Sequence, residues 1–130
     1  MRKIMLVMYR KFIAQSLVKS MKYDQRYQFI TEYDRGNAVA AAGSFEPDVA
    51  LVEVPEGRSR RAAEYVALCS GIRRASPRCK LILFCPETSQ DSKDAAIAAA
   101  QSGEIDDFVF FDTSWDYLIS KLEALSPGVD

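Results

Sequence analysis

The chain has 130 residues, 48% of them hydrophobic and 27% charged, as is typical of one globular domain. It contains no histidine, which excludes the commonest general base, the commonest metal ligand and every nucleophile system that depends on an imidazole. Its three cysteines form no C-x-x-C pair, so neither a disulfide framework nor a thiolate zinc site is expected.

The net charge of −1 conceals an uneven distribution along the chain. Residues 1–80 carry 15 basic and 8 acidic side chains, a net +7, whereas residues 81–130 carry 2 and 10, a net −8. Such asymmetry is compatible with a nucleic-acid-binding face, with head-to-tail association or with ordinary solvated helix faces. No apolar run approaches the roughly 20 residues that span a bilayer, and no secretory signal is recognisable, so we expect a cytoplasmic protein with no membrane partner.

Short apolar runs alternate with stretches of helical periodicity, a pattern that predicts repeated βα units around a parallel sheet. The five predicted strands are Lys3–Met8, Gln28–Tyr33, Val49–Val54, Lys80–Phe84 and Phe108–Phe111.

A helix is predicted after each strand. The first has an apolar stripe, and the second is rich in alanine and is expected to stop near Gly43. The third runs from about Ser59 to Ala75, the fourth starts near Ser89 or Gln90, and the fifth follows a cap at Thr113 or Ser114.

Ligands of a doubly wound sheet bind beyond the carboxyl ends of its strands. The residues expected there are Met8, Tyr9, Arg10, Glu53, Val54, Cys85, Pro86, Phe111 and Asp112.

Three segments resemble the receiver domain of response regulators. Residues 3–7 (KIMLV) are similar to the first strand of the family, and residues 47–55 (PDVALVEVP) resemble the Pro-Asp-apolar stretch that ends in its phospho-acceptor. Residues 107–114 (DFVFFDTS) are similar to the Gly-Tyr-Leu-Leu-Lys-Asp-Thr-Ser segment of LuxR-type regulators. The resemblance implies a flavodoxin-like, three-layer α/β fold, with five parallel strands in the order 2-1-3-4-5 and five helices. We expect a receiver-like domain over residues 1–125, followed by a tail or the start of a linker at 126–130.

The resemblance also assigns the family's active-site positions to residues of this chain. The two acidic magnesium ligands, the phospho-acceptor, the switch hydroxyl and the lysine fall, in that order, on Met8, Tyr9, Glu53, Cys85 and Phe111. All five depart from the family pattern, so the resemblance is to an atypical receiver that lacks the phosphorylation residues. The aromatic switch residue is retained as Phe108.

These departures remove the chemistry of phosphoryl transfer. Glu53 beside Met8 and Tyr9 is a poor magnesium ligand set, and no lysine is available to neutralise the charge of a phosphoryl group. We therefore expect no catalytic residue, no metal or other cofactor, and no phosphotransfer from a histidine kinase.

Glu53 has two interpretations at this point: a partial imitation of the phosphorylated state, or a residue with no signalling role. A carboxylate buried at this position needs a basic partner to remain ionised. The candidates are Arg10 and Arg58, in the neighbouring loops.

Aromatic residues of the last strand and helix are a candidate interface, in the region where receivers commonly dimerise. They are Phe108, Phe110, Trp115 and Tyr117. Core packing is the competing explanation for them, because only an exposed apolar patch indicates a partner.

These features favour a non-catalytic regulatory domain of signal transduction that works independently of phosphorylation. It is expected to act through dimerisation or a partner protein and to control an attached or partner DNA-binding transcription regulator, with DNA contacted only by a domain outside this chain. Two alternatives stay open: a receiver with an unusual phospho-acceptor, and a small-molecule sensor whose crevice is lined by Tyr9, Arg10, Cys85 and Phe111.

Overall fold

The computed structural model describes residues 1–22, 24–57 and 61–126. Its strands are β1 (Arg2–Val7), β2 (Tyr27–Glu32), β3 (Val49–Glu53), β4 (Lys80–Cys85) and β5 (Asp107–Phe110). Its helices are α1 (Lys11–Met21), α2 (Ala38–Phe45), α3 (Arg61–Ala75), α4 (Gln90–Ser102) and α5 (Trp115–Leu125), with a short 3-10 turn at Arg35–Asn37.

All strands are parallel and lie in the order β2-β1-β3-β4-β5, which confirms the predicted flavodoxin-like topology. β3 is buried along its whole length because helices cover both faces of the sheet. Consequently the strand reads as an almost continuous apolar run that ends in one carboxylate, Glu53.

Two apolar clusters separate the three layers. On one face, Met5, Val7, Ala50 and Val52 pack against α2, α3 and α4. On the other face, alternate residues of the same strands pack against α1 and α5. This alternation follows from the two-residue period of a strand, which sends successive side chains to opposite faces.

Several element boundaries differ from the predicted ones. β1, β2 and β5 begin and end one residue earlier than expected, β3 ends at Glu53, and β4 extends to Cys85. The larger correction concerns α2, which continues past Gly43 to Phe45 and ends where Glu46 takes a left-handed conformation (φ 54°). The Glu46 N–H closes the helix on the Ala42 carbonyl, so glycine is not the residue that ends it.

Among the described residues, no helix combines the length and apolar character that crossing a bilayer requires.

Candidate functional site

The carboxyl ends of β1, β3, β4 and β5 meet at one edge of the sheet, and the register brings their last residues together. Glu53 pairs with Phe84, and Cys85 pairs with Phe110. The residues that follow β1 and β5 complete this edge, with Met8, Tyr9 and Arg10 after the first strand and Phe111 after the last.

Glu53 is the most constrained polar group at this edge. Its side chain has no exposure to solvent, and Oε1 accepts hydrogen bonds from the Tyr9 N–H (3.1 Å) and the Arg10 N–H (3.3 Å). The other oxygen, Oε2, forms an ion pair and hydrogen bond with the Arg10 Nε. Both carboxylate oxygens therefore have donors, as a buried charge requires.

These bonds also tie the loop after β1 to the start of α1. Arg10 occupies the N-cap position in an extended conformation, and no side chain caps the helix from within this segment. Because the first N–H groups of a helix lack internal partners and carry partial positive charge, a carboxylate beside them is favourable. Glu53 supplies that carboxylate from a different strand.

Three aromatic rings surround the Arg10 guanidinium at the edge of the sheet where the strands end. Its central carbon lies 4.1 Å from the Phe111 ring centroid, 5.7 Å from that of Tyr9 and 5.8 Å from that of Phe84. Phe84 and Phe111 contact each other edge to face, with centroids 4.8 Å apart. The Arg10 side chain keeps 33% of its surface exposed, so the cage encloses it only in part. We call Glu53, Arg10, Tyr9, Phe84 and Phe111 the arginine cage.

Sequence reasoning missed Phe84 as a member of this cage. The residue was predicted as the last of strand four and was not named among the site residues, and its position opposite Glu53 follows only from the register of two strands. A usable signal existed, because Phe84 immediately precedes Cys85 at the end of the strand.

The residues equivalent to the acidic pair differ in exposure. Met8 is buried in the cluster beneath α1 and α5. Tyr9 is 43% exposed, and its hydroxyl accepts a hydrogen bond from the Glu56 N–H at 3.3 Å. The cavity beside Glu53, between these residues and Tyr33, measures about 20 Å³, which is room for about one water molecule.

The switch-equivalent positions are packed into the protein. Cys85 is fully buried, and burial raises the pKa of its thiol to about 12. Phe108 is half-buried and packs on the α2–α3–α4 side of the sheet, beside Phe110 at a centroid distance of 5.5 Å. Neither residue presents a hydroxyl to the crevice.

Of the four aromatic residues expected at an interface, Phe108, Phe110 and Tyr117 line one groove along β5, and Trp115 lies elsewhere. Phe108 and Phe110 pack on the α4 side, whereas Trp115 packs on the α1–α5 side and donates from Nε1 to the Ser20 Oγ at 2.9 Å. Of the four, only Tyr117 is exposed, at 50%. Arg58, the other candidate partner of Glu53, lies outside the described residues, as do residues 127–130 of the expected tail.

The receiver fold implies a magnesium ion at this edge, and the residues present do not fit one. Mg²⁺ takes six oxygen ligands in octahedral geometry. Here both Glu53 oxygens are engaged by Arg10 and by backbone N–H groups, and Met8 and Tyr9 supply no carboxylate. In the part of the chain that is described, no three side chains of the usual metal-binding types cluster together.

Comparison with known proteins identifies the fold through solved structures and finds no match by sequence. No protein-family model matches the chain, and no curated protein sequence matches it. Solved structures do match. A LuxR-family DNA-binding response regulator from Staphylococcus aureus has a TM-score of 0.73 and 12% identity, over 96% of this chain and 98% of that one.

Two further structures give the same picture. A response regulator from Thermotoga maritima has a TM-score of 0.75 and 16% identity, covering 95% of this chain and 96% of that chain. A structure described as an adenylate cyclase from Rhodopirellula baltica has a TM-score of 0.80 and 16% identity, covering 95% and 86%. Identities this low establish the fold alone: this chain has the fold of the response-regulator receiver domain.

Proposed function

We propose that this chain is a regulatory domain of signal transduction that works without being phosphorylated. The observation that carries the proposal is the ion pair between Glu53 and Arg10. The carboxylate at the acceptor position already binds an internal cation and two N–H groups, so it has no free oxygen to present to a phosphodonor.

Electrostatics support the same conclusion. Phosphoryl transfer needs cations that neutralise the charge spreading over the equatorial oxygens of the phosphoryl group. The one cation at the Glu53 carboxylate among the described residues is Arg10, and its charge is compensated by that carboxylate. The position equivalent to the lysine carries Phe111, which offers a π face to a cation and no charge to an anion.

In this proposal the ion pair between Arg10 and Glu53 takes the place of phosphorylation and is formed at all times. Arg10 joins the β1–α1 loop to the ends of β3, β4 and β5, so these segments are fixed in one arrangement. A domain held in this way signals through its surface, by contact with another copy, a partner protein or an attached domain. We include the control of a DNA-binding transcription regulator in the cytoplasm in the proposal, because the fold is shared with a LuxR-family regulator.

One cavity beside Glu53 is too small for a ligand, and of the residues named for the small-molecule alternative only Tyr9 lines it. Ligand pockets usually enclose about 300–1,000 Å³. The space beside Glu53, as far as the described residues line it, is about 20 Å³.

The test is incubation with acetyl phosphate and Mg²⁺, followed by intact-mass measurement of the folded chain. We expect no increase of about 80 Da, the mass of one phosphoryl group. A receiver with an intact acidic pair and lysine, treated in parallel, shows that the phosphodonor is active. An adduct on this chain that disappears in Glu53→Gln would overturn the proposal.

A further inference from the structure

The outer side of α1 is basic and carries an exposed aromatic ring. The residues that face solvent there are Lys11, Phe12, Gln15, Lys19 and Lys22, and we call them the basic face. Phe12 is 76% exposed, which is unusual for a large apolar side chain. A groove of about 400 Å³ separates this helix from β2 and is lined in part by Lys19, Lys22 and Tyr33.

The opposite edge of the sheet carries a groove of complementary charge. It has a volume of about 330 Å³ and runs along β5 to the start of α5. Its walls include Asp107, Phe108, Phe110, Asp112 and Tyr117, which we call the acidic groove. Asp116, also exposed, is the neighbour of Tyr117 in the sequence.

Some charged side chains near the two surfaces have partners within the molecule, and others do not. Lys121 pairs with Asp107 at 2.8 Å, and Lys93 lies over the Phe110 ring. By contrast, no ion pair engages Lys19, Lys22, Asp112 or Asp116 within the described residues. Uncompensated lysines at one edge and uncompensated aspartates at the other are the charges available to a partner.

One molecule cannot join these surfaces to each other, because β2 and β5 are the two outermost strands of the sheet. A second copy can, since the basic face of one molecule meets the acidic groove of the next. Apolar fit favours the same pairing: Phe12 projects from the basic face, and the groove walls are rich in aromatic rings. A symmetric contact of either surface with itself would instead bring like charges together.

We propose that this chain associates head to tail, with the basic face of one copy seated in the acidic groove of the next. The inference rests on the proposed function only in taking the domain to act through protein contacts. A contact between two different surfaces does not close at two copies, so the expected product is a chain or a ring. Its attraction is electrostatic and weakens as salt screens the charges.

The experiment is sedimentation velocity of the full chain over a range of concentrations at low salt. We expect a weight-average mass that rises beyond two chains with concentration and returns towards 14.6 kDa in 0.5 M NaCl. Lys19→Glu/Lys22→Glu and, separately, Phe12→Ser are expected to abolish association. Arg74→Glu/Arg78→Glu makes the same change in charge at exposed positions outside both surfaces and is expected to leave association intact.

A mixing experiment tests the direction of the contact. Lys19→Glu/Lys22→Glu keeps its acidic groove, and Asp112→Asn/Asp116→Asn keeps its basic face. Each variant alone is expected to be a monomer, and their equimolar mixture to form a 1:1 dimer that grows no further. Circular dichroism of each variant confirms that it is folded.

Three results would overturn the proposal. The first is a wild-type chain that stays monomeric up to high micromolar concentration at low salt. The same holds if that monomer binds duplex DNA through the basic face. A wild-type species that stops at a dimer at every concentration would indicate a symmetric contact, which closes at two copies. Association that survives Lys19→Glu/Lys22→Glu would exclude the basic face. None of these results bears on phosphorylation, which the mass measurement tests separately.

Discussion

The guanidinium carbon of Arg10 lies 4.1 Å from the centre of the Phe111 ring, while the same side chain forms an ion pair with Glu53. The negative face of an aromatic ring stabilises a cation, and the buried carboxylate compensates its charge. A lysine at position 111 would instead place a second positive charge a few ångströms from the first. The arginine and the phenylalanine therefore stabilise each other, which a lysine at position 111 would not do.

The first prediction concerns the two sides of this ion pair. Arg10→Met leaves the Glu53 carboxylate buried with only two N–H donors, and we expect the free energy of unfolding to fall by about 3 kcal/mol. Glu53→Gln keeps an oxygen for those donors and leaves Arg10 partly in water, so we expect a loss of about 1 kcal/mol. Urea denaturation measures both.

The double variant is the control for this pair. Because it leaves no buried charge, its loss is expected to be smaller than the sum of the two single losses. Equal losses in Arg10→Met and Glu53→Gln, with full additivity, would show that the pair contributes nothing specific.

The second prediction concerns the three cysteines, all of which are buried. Burial raises the pKa of Cys69, Cys79 and Cys85 to about 12, from an ordinary value of 9.0. Between pH 9 and 12 the unfolded chain therefore releases thiol protons that the folded chain retains. The free energy of unfolding falls over this range, by up to about 1.4 kcal/mol per pH unit for each thiol.

Two measurements check this. Cys85→Ala retains every lysine and tyrosine, so a shallower alkaline decline than in the wild type isolates the contribution of that thiol. In addition, Ellman's reagent at pH 8 is expected to modify none of the three thiols in the folded protein and all of them in guanidinium chloride. Rapid modification of the folded chain would contradict the prediction.

The third prediction concerns the link between α1 and α5. Trp115, the single tryptophan, donates from Nε1 to the Ser20 Oγ at 2.9 Å. Ser20→Ala leaves a partly buried indole N–H without this acceptor, and we expect a loss of about 1 kcal/mol in the free energy of unfolding. Tryptophan fluorescence reports both the local change and the unfolding transition. Ser16→Ala, a half-buried position in the same helix, serves as the comparison and is expected to change stability little.

The fourth prediction compares two helix ends with left-handed backbones. Glu46 has φ 54° at the end of α2, a conformation that costs a non-glycine residue about 1 kcal/mol. Gly103 has φ 83° at the end of α4, where a Cβ would meet no atom within 4 Å. Glu46→Gly is expected to raise the thermal midpoint and Gly103→Ala to lower it, each by about 1 kcal/mol or less in stability. Shifts in the same direction would show that backbone conformation does not govern these ends.

The order and type of the elements can be predicted from the amino-acid sequence, because the signals for them are local. Apolar runs marked the strands, 3.6-residue periods marked the helices, and the starts of the last two helices were expected near Ser89 and Ser114. The end of α2 was wrong by two residues. Gly43 is permissive there, but the turn that closes the helix forms at Glu46, where the chain bends into β3.

The assembly of the candidate site could not be predicted in this way. The sequence placed Arg10, Glu53 and Phe111 at strand ends and left two arginines as partners for the carboxylate. The register of β3, β4 and β5 brings Phe84 opposite Glu53. Only the folded structure shows that both oxygens of Glu53 accept hydrogen bonds from the loop after β1. The physical reason is that Arg10, Glu53, Phe84 and Phe111 are each 27 or more positions apart and share a site only through the sheet. Local periodicity carries no information about which strand ends become neighbours.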